Sequence, residues 1–324
     1  MDTNMHPKAP VAISRCLLGE QVRYNGDHKH NRFCTGVLAE HFEFVPVCPE
    51  IQAGMTVPRR PIRLVQVADG SIRAQESDDA AMDHSEALEQ QARLFVQDNA
   101  AIASFIATPN SPSCGLFTVK LYLPNGNPVN KTSGLFSKTL RQLNLLLPVE
   151  ESGRLNDPGL RENFIMRVYT YHRWMELNRQ PLTAKALVQF HTRHKYLVMS
   201  HSHDAYKNLG QMVARAGDSD LMQMGPDYIR TLMDAIAAPA PRARHCNVLH
   251  HLLGYLKKLI DSGDKQELLA TIAHYRQGIV PLIVPMALLR HHFERWREQQ
   301  RYVLEQVYLD PYPFELGLRS QVHP

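Results

Sequence analysis

The chain has 324 residues, of which 44% are hydrophobic and 21% are charged, and its net charge is +4. These are ordinary values for a globular protein, so they exclude a disordered, collagen-like or coiled-coil chain. No stretch approaches the roughly 20 apolar residues of a transmembrane helix, and residues 1–14 lack the apolar segment of a signal peptide. We therefore expect a soluble, cytoplasmic protein with about two domains.

The first half of the chain alternates short apolar runs with helical patterns. Short apolar runs that end at polar or proline residues are typical of strands buried in a parallel sheet. A helical pattern at about residues 78–101 has Ser77 as its expected N-cap, and residues 62–74 predict a hairpin that turns at Asp69 and Gly70. This order predicts an α/β fold in which residues 1–150 form a Rossmann-like domain with a parallel sheet. The three predicted strands are 11–14, 42–47 and 103–108.

The second half has a different character. The polar, turn-rich stretch 148–158 predicts a domain boundary. Beyond it, apolar residues recur at helical spacing, most clearly at 248–260 and 287–307, and no strand pattern is present. We expect residues 151–324 to form an all-α domain. We expect the helices to be interrupted by the Gly-, Pro- or Ser-containing segments 225–226, 239–241 and 262–264.

Three of the five cysteines lie in the segments that follow the three predicted strands. Cys16 follows the first strand, Cys48 the second and Cys114 the third. In an open parallel sheet, ligands bind outside the carboxyl ends of the strands, so these residues can converge although they are far apart in sequence. An odd number of cysteines in a cytoplasmic chain argues against a disulfide framework.

Two interpretations of these thiols remain open from their spacing alone. A structural zinc site takes four ligands, usually with paired Cys-x-x-Cys spacing, and no such pair is present. A [4Fe–4S] cluster normally takes four thiolates, so three would leave one iron with an open position of the kind that catalysis uses. The alternative is that the three cysteines are small buried hydrophobic residues.

The motifs around these cysteines resemble those of the thiouracil desulfidase (TudS) family. The matching segments of the first half are CLLG at 16–19, VRYNG at 22–26, VCPE at 47–50 and SPSCG at 111–115. The second half resembles a helical domain of formerly unknown function that is fused to such domains in some bacteria. Its matching segments are LPVEESGRL at 147–155, RENF at 161–164, HKY at 194–196 and DPYPFEL at 310–316. The fused arrangement is similar to desulfidases that remove sulfur from 4-thiouridine in transfer RNA.

The resemblance implies a cofactor, a substrate class and catalytic residues. It implies that Cys16, Cys48 and Cys114 bind a [4Fe–4S] cluster with one free iron, which takes the thiocarbonyl sulfur of the substrate. The acidic catalytic residue of the family falls on Glu50, and its catalytic serine falls on Ser111 or Ser113, with Ser111 favoured. The sequence departs from relatives that carry basic residues just before the SPSC motif, because residues 108–110 are Thr, Pro and Asn here.

This assignment agrees with what the reaction needs. Replacing C=S by C=O is a hydrolysis that requires a soft Lewis acid, a base for water and protons for the leaving group. Glu50 lies two residues from Cys48 and can serve as base and then as acid. The ordinary alternatives are a Glu at a helix start or in a salt bridge, and serines that form a turn around Pro112.

The predicted helical domain is basic and rich in histidine. Residues 151–324 hold 22 Lys and Arg against 17 Asp and Glu, together with 12 of the 17 histidines. Cationic side chains neutralise phosphates, and aromatic side chains can stack on unpaired RNA bases. We therefore predict RNA binding, with ordinary solvated helix faces as the alternative. The candidate RNA-binding residues are Arg193, Lys195, Arg242, Arg244, Lys257 and Lys258.

The leading hypothesis is a [4Fe–4S] desulfidase that acts on 4-thiouridine in transfer RNA. One alternative keeps the chemistry but takes free thiouracil or a thiolated pyrimidine nucleotide. Another is a non-enzymatic iron–sulfur or redox sensor whose helical domain binds a nucleic acid or a protein. Cys34 and Cys246 lie outside the three motifs, and we expect buried residues there, with a redox or persulfide role as the alternative for Cys34. The histidines at 191–203 lack a Glu that would complete a familiar metal motif, so we expect no metal there.

Overall fold

The computed structural model describes residues 6–321, and the chain divides into two compact units after Asn156. The first unit contains two four-stranded sheets. Its strands in chain order are β1 (Ala9–Ser14), β2 (Phe42–Val47), β3 (Ile62–Gln66), β4 (Ile72–Glu76), β5 (Ser104–Ala107), β6 (Val119–Tyr122), β7 (Pro128–Thr132) and β8 (Val149–Glu151).

The larger part of the core is a parallel sheet with strand order β2-β1-β5-β8. β1 pairs in parallel with β2 on one side and with β5 on the other, and β8 pairs in parallel with β5. Val11, Ile13 and Phe105 are completely buried, as expected for short apolar strands that are covered on both faces. The three predicted strands and the α/β fold class are confirmed.

The second sheet has strand order β4-β3-β6-β7. β3 and β4 form the predicted antiparallel hairpin, and Gly70 adopts a φ of 82° in its turn, where a residue without Cβ is favoured. No pattern in the sequence predicts β6 or β7. β7 is mostly exposed, so it lacks the apolar pattern that would identify a strand.

The helices of the first unit include one that begins later than predicted. Ser77 is not an N-cap, because its N–H donates to the Pro61 carbonyl oxygen at 2.9 Å in the bend that follows β4. The helix starts at Ser85, whose N–H donates to Asp83 Oδ1 at 2.8 Å. The α-helices of this unit are α1 (Ala39–His41), α2 (Pro49–Gln52), α3 (Ser85–Asp98) and α4 (Leu135–Leu143).

The polar stretch that predicted a domain boundary contains a strand. β8 lies within it and pairs with β5, so the sheet of the first unit continues into residues that the sequence assigned to a turn-rich linker. Glu150 and Glu151 are buried in this strand, and their carboxylates accept hydrogen bonds from the protein. Because acidic residues occupy buried positions of β8, its sequence lacks the apolar pattern by which a buried strand is recognised.

The second unit is helical, and residues 157–321 contain no strand. Its core includes the apolar face predicted at 248–260, where Val248, Leu249, Leu252 and Leu256 are completely buried. None of the described helices is long and apolar enough to cross a membrane. The helices are α5 (Pro158–Leu177), α6 (Ala184–His201), α7 (His203–Ala214), α8 (Leu221–Ala235), α9 (Arg242–Tyr255), α10 (Ser262–Gln277), α11 (Ile283–Arg295) and α12 (Arg297–Leu304).

Two of the three predicted breaks between helices are wrong. Gly225 and Pro226 lie inside α8, where a Cβ at Gly225 would lie only 3.0 Å from Leu182 Cδ2. Residues 262–264 form the first turn of α10, because Asp261 is the N-cap and accepts a hydrogen bond from the Asp264 N–H at 2.9 Å. The pattern at 287–307 is interrupted at Trp296, between α11 and α12.

Candidate active site

The three strand-end cysteines line one cavity. The cavity has a volume of about 290 Å³, and its lining includes Cys16, Cys48 and Cys114, together with Glu50 and residues 111–113. It lies at the carboxyl ends of β1, β2 and β5, where the chain goes from β1 to β2 on one side and later returns to β5 on the other side of β1. Such a switch point forms a crevice in open α/β sheets and is where their ligands bind.

Cys16 is positioned by a tight turn of the backbone after β1. Residues Arg15–Leu18 form a 3₁₀ turn that ends at Gly19, whose φ of 95° favours glycine. The Cys16 carbonyl oxygen accepts a hydrogen bond from the Lys29 N–H at 2.8 Å. Its Sγ lies 2.9 Å from Thr108 Oγ1, so the first and third cysteine loops are in direct contact.

Cys48 and Cys114 are placed by the ends of β2 and β5. Cys48 immediately follows β2 and precedes α2, which begins at Pro49. The Cys114 N–H donates to Ser111 Oγ at 3.1 Å. The buried Glu151 at the end of β8 accepts from the Leu116 N–H at 2.8 Å, which fixes the chain just after the third cysteine.

Two glycines allow this third loop to be compact. A Cβ at Gly115 would lie 2.9 Å from the Ser111 carbonyl oxygen, and a Cβ at Gly134 would collide with the Ser113 carbonyl oxygen. The Gly134 N–H donates to the Gly115 carbonyl oxygen at 2.8 Å. Close approach of two backbone segments therefore requires glycine at both positions.

The protein alone disfavours ionisation of the three thiols. Burial raises the pKa of Cys16, Cys48 and Cys114, and the neighbouring Cys48 raises the pKa of Cys114 further. Since the thiolate is the form that binds metals, this arrangement needs a bound cation to offset the cost of ionisation.

The donor set fits a cluster better than a single ion. Within residues 6–321, no group of three or more His, Cys, Asp or Glu side chains is arranged to hold one metal ion. A four-iron cluster takes each thiolate on a different iron, so its ligand sulfurs are more widely spaced than those of one ion. Cys16, Cys48 and Cys114 all line this one cavity, so their thiols are the candidate ligands of such a cluster.

Glu50 is the buried acidic residue of the cavity. Arg59 donates two hydrogen bonds to Glu50 Oε2, from Nε at 2.8 Å and from Nη2 at 2.5 Å. The side chains are 8% and 12% exposed for Arg59 and Glu50, respectively. The guanidinium also donates to the carbonyl oxygens of Val22 and Thr56, so it connects Glu50 to the loop that follows Cys16.

The other carboxylate oxygen of Glu50 begins a chain of hydroxyl groups. Ser113 Oγ donates to Glu50 Oε1 at 2.5 Å, and Ser111 Oγ lies 3.0 Å from Ser113 Oγ. Because Ser113 uses its proton toward Glu50, Ser111 must donate to Ser113. Ser111 is the less buried of the two serines, so the chain runs from the cavity through Ser111 and Ser113 to Glu50.

The mouth of the cavity is basic. Arg23, Tyr24 and Lys29 line it, and Lys29 Nζ donates to the Pro109 carbonyl oxygen at 3.2 Å. Arg23 and Lys29 come from the loop after Cys16, whereas Thr108 and Asn110 lie on the segment before the SPSC motif.

Arg59 is the site residue that sequence reasoning missed. Its only signal is an arginine nine residues after Glu50, which is too common to single out. The contact depends on the fold of residues 51–58, which returns the chain to Glu50. The local sequence pattern therefore could not have identified Arg59.

The remaining cysteines lie away from this cavity. Cys34 is completely buried in a π-helical turn at Cys34–Leu38, and burial raises its pKa to about 12. Cys246 is buried on α9 in the second unit. Neither lines the cavity that contains Cys16.

Two of the histidines at 191–203, His191 and His194, are buried in the second unit, whereas His203 is exposed. His191 Nδ1 lies 3.2 Å from the Tyr228 hydroxyl, and His194 Nδ1 lies 2.7 Å from the Phe190 carbonyl oxygen. Burial lowers the pKa of His191 to about 4 and that of His194 to about 3, so both rings are neutral. No metal-binding group involves them in the described part of the chain.

The candidate RNA-binding residues are dispersed over the second unit. Arg193 and Lys195 lie on α6, and Lys195 Nζ is 5.1 Å from the centre of the Tyr302 ring. Arg242 and Arg244 lie in the first turn of α9, where Arg244 is exposed and Arg242 is half-buried. The two remaining candidates, Lys257 and Lys258, are exposed just beyond α9.

Comparisons with known proteins match the two halves separately. Residues 11–152 match the family model described as 2-thiouracil desulfurase, and residues 195–313 match the model described as a protein of unknown function (DUF1722). The uncharacterized protein YbgA of Escherichia coli (strain K12) is 32% identical over 146 residues, which are 44% of this chain and 86% of YbgA. The uncharacterized protein YbbK of Bacillus subtilis (strain 168) is 28% identical over 112 residues, which are 32% of this chain and 72% of YbbK.

A solved structure is similar to part of the chain. It is that of the [4Fe-4S]-dependent thiouracil desulfidase TudS, with 24% sequence identity and a TM-score of 0.37. The similarity covers 46% of this chain and 95% of that one.

Proposed function

We propose that this chain, which belongs to the family of YbgA and whose residues 11–152 match the 2-thiouracil desulfurase family, is a desulfidase of thiolated pyrimidines. The observation that carries the proposal is one cavity that combines three strand-end thiols with a buried carboxylate and a chain of two hydroxyls. Thiols alone would suit many metal proteins, whereas the adjoining carboxylate and hydroxyls suit hydrolysis.

We propose that Cys16, Cys48 and Cys114 hold a [4Fe–4S] cluster in this cavity. With three protein ligands, such a cluster supplies a soft Lewis-acidic iron with an open position for the sulfur of the substrate. The buried thiols and the apolar strand ends around them keep water away from the ligands.

The protein residues would move the protons of the reaction. Hydrolysis adds the oxygen of water to the carbon of C=S, and the two protons of water leave with the sulfur as hydrogen sulfide. We propose that Ser111 orients the water and passes a proton through Ser113 to Glu50 Oε1. Glu50 then returns the proton to the departing sulfide by the same path.

Arg59 would keep Glu50 in place during both transfers. It occupies Oε2 with two hydrogen bonds, so Oε1 alone faces the serines. A fixed carboxylate needs little reorganisation when the proton arrives, which is how positioned groups accelerate a reaction.

We propose 4-thiouridine in transfer RNA as the substrate. Arg23 and Lys29 at the cavity mouth suit a substrate that carries phosphates, and Arg244, Lys257 and Lys258 are exposed cations of the second unit. Free thiouracil or a thiolated nucleotide is the alternative substrate. A sensor would have no need of the linked carboxylate and serines, so these groups favour an enzyme.

The test is anaerobic reconstitution followed by incubation with transfer RNA that contains 4-thiouridine. Nucleoside analysis should show conversion to uridine with release of sulfide. The Lys257→Ala/Lys258→Ala variant should lose activity on transfer RNA in a salt-dependent way and retain activity on 4-thiouridine monophosphate, while Lys185→Ala is the matched control. Turnover of small thiopyrimidines alone would support the alternative substrate, and no turnover of any of them would support the sensor.

A further inference from the structure

Two hydroxyl groups lie beside the cysteines of the candidate active site. Ser14 is the last residue of β1, and Thr108 directly follows β5, the neighbouring strand of the parallel sheet. Both side chains line the cavity that contains Cys16 and Cys114. They are nevertheless buried, since Ser14 is 2% and Thr108 is 6% exposed. Because a buried hydroxyl needs a hydrogen-bond partner, the partners of these two groups indicate their role.

The Thr108 hydroxyl contacts Cys16. Its Oγ1 lies 2.9 Å from Cys16 Sγ, and it has no other hydrogen bond within residues 6–321. Either atom can be the donor while the thiol carries its proton. A thiolate, which is the form that binds metals, has no proton to donate. When Cys16 is a metal ligand, Thr108 is therefore the donor of this hydrogen bond.

The Ser14 hydroxyl connects this contact to Cys114. Ser14 Oγ accepts a hydrogen bond from the Thr108 N–H at 3.1 Å, which leaves the proton of the Ser14 hydroxyl for a different acceptor. The Cys114 side chain forms a hydrogen bond with the Ser14 side chain and is that acceptor. Burial raises the pKa of Cys16 and of Cys114, and the hydrogen bonds from Thr108 and Ser14 lower it in part.

Strand pairing holds both hydroxyls in place. β1 and β5 are parallel neighbours in which Ile13 lies opposite Ile106, so Ser14 and Thr108 both lie at the carboxyl end of the sheet. The hydrogen bond from the Thr108 N–H to Ser14 Oγ joins segments that are 94 residues apart in the chain. Donors that are fixed in this way resemble the outer-shell groups that orient the ligands of metal sites and determine how much charge those ligands donate.

We propose that Ser14 and Thr108 are positioning residues that donate hydrogen bonds to the thiolates of Cys114 and Cys16 when these thiolates hold the [4Fe–4S] cluster. The inference rests on the proposed function and adds to it the groups that adjust the cluster. Hydrogen bonds to the ligand sulfurs are among the factors that set the reduction potential of iron–sulfur clusters. A donor draws negative charge from a thiolate, so the iron receives less charge and becomes a stronger Lewis acid toward the sulfur of the substrate.

The experiment measures the midpoint potential of the cluster in the full-length protein after anaerobic reconstitution, by a redox titration followed with electron paramagnetic resonance. Thr108→Val keeps the shape of the side chain and removes its hydroxyl. The potential should shift to a more negative value, because the added electron loses a stabilising donor. Ser14→Ala should shift it in the same direction, and the double variant should shift it further. Thr108→Ser keeps the hydroxyl and should restore the potential of the wild type. The single-turnover rate of Thr108→Val and of Ser14→Ala should fall by about 10- to 100-fold.

Two buried hydroxyl residues of the same unit provide matched controls. Thr139 is 7% exposed and Ser104 is completely buried, and neither lines the cavity. Thr139→Val and Ser104→Ala therefore each remove a buried hydroxyl and leave the cavity lining unchanged. Both variants should have the potential and the single-turnover rate of the wild type. A shift of the potential in these controls as large as that in Thr108→Val would overturn the inference.

Iron content separates the failure of this inference from the failure of the proposed function. If the wild type takes up four irons and both Thr108→Val and Ser14→Ala have its potential, only this inference is overturned. If Thr108→Val does not retain iron, Thr108→Ser decides. A cluster in Thr108→Ser supports the hydroxyl donor, whereas loss of iron from Thr108→Ser as well shows that the position serves packing and overturns the inference. A wild type that takes up no iron overturns the proposed cofactor and this inference together.

Discussion

Glu50 and Arg59 form a buried ion pair in which both hydrogen bonds that Arg59 donates to Glu50 end on the same carboxylate oxygen. The second oxygen is thereby left for Ser113, and the two ends of the carboxylate have different surroundings. A buried acidic residue that only stabilised the fold would have no need of this asymmetry. The arrangement suits a group that exchanges a proton through one oxygen and is held by the other.

We predict that Glu50→Gln separates catalysis from cofactor binding. Gln keeps the size of the side chain but cannot take up a proton, so the single-turnover rate should fall by about 10²–10⁴ while iron and sulfide content are retained. Glu43→Gln, on the exposed side of β2, is the control. A fully active Glu50→Gln enzyme that is only less stable would mean that Glu50 serves the fold and not the reaction.

Arg59 should act through Glu50. We predict that Arg59→Lys lowers kcat by about 10- to 100-fold with little change in KM, because lysine cannot reproduce two fixed hydrogen bonds. Arg59→Met should in addition cost about 3–5 kcal/mol of stability, since it leaves a buried carboxylate without its partner. The neighbouring Arg60 is 59% exposed, so Arg60→Lys is a matched control. An equal effect of the two lysine variants on kcat would contradict the positioning role.

The two serines should have linked effects on rate. We predict that Ser111→Ala and Ser113→Ala each lower the single-turnover rate by about 10- to 100-fold and that the double variant is little worse than either, because both belong to one hydrogen-bonded chain. Ser77→Ala, at an exposed bend, is the control. Independent, multiplicative losses in the double variant would show that the serines do not form one proton path.

The Cys→Ser variants should fall into two groups that differ in their iron content. Cys16→Ser, Cys48→Ser and Cys114→Ser should each lose most of the iron taken up on anaerobic reconstitution, because each removes one of the proposed cluster ligands. Cys34→Ser and Cys246→Ser should retain the iron of the wild type, since both residues lie outside the cavity. Loss of iron from Cys34→Ser with retention in Cys48→Ser would disprove the ligand assignment.

The buried histidines should make the second unit sensitive to acid. The pKa values of His191 and His194 are lowered by burial, to about 4 and about 3 respectively. Above the unfolded-state pKa of about 6.5, neither state binds the proton, so stability does not vary with these groups. As the pH falls below that value, only the unfolded state takes up protons, and the free energy of unfolding should decrease by about 1.4 kcal/mol per pH unit for each histidine.

Urea denaturation at pH 7, 6 and 5 would measure this slope. Both tryptophans, Trp174 and Trp296, lie in the second unit, so intrinsic fluorescence reports on it specifically. His191→Gln should reduce the slope by the contribution of one histidine, whereas His250→Gln, at an exposed position of α9, should leave it unchanged. A slope that is the same in His191→Gln and the wild type would contradict a neutral, buried His191.

Much of the fold follows from local patterns in the sequence. The strands β1 and β5 are short apolar runs because they are buried on both faces, and such runs are visible without knowledge of the fold. β2 is partly exposed and was still recognisable from its apolar residues. β7 is largely exposed and β8 contains two buried glutamates, so neither has a pattern that could identify it. The start of α3 was misplaced because Ser77 is engaged by the Pro61 carbonyl oxygen, a contact made 16 residues away in the chain.

The sequence by itself determined that the three candidate cysteines follow three strands of one parallel sheet. Cysteines in the segments that follow parallel strands can meet at one edge of the sheet, because parallel strands share one direction. Only the tertiary structure decided how the acidic residue and the serines are connected. The contacts of Glu50 with Arg59 and Ser113 join segments 9 and 63 residues apart, and hydrogen bonds of about 2.5 to 2.8 Å depend on side-chain geometry that no spacing in a sequence encodes.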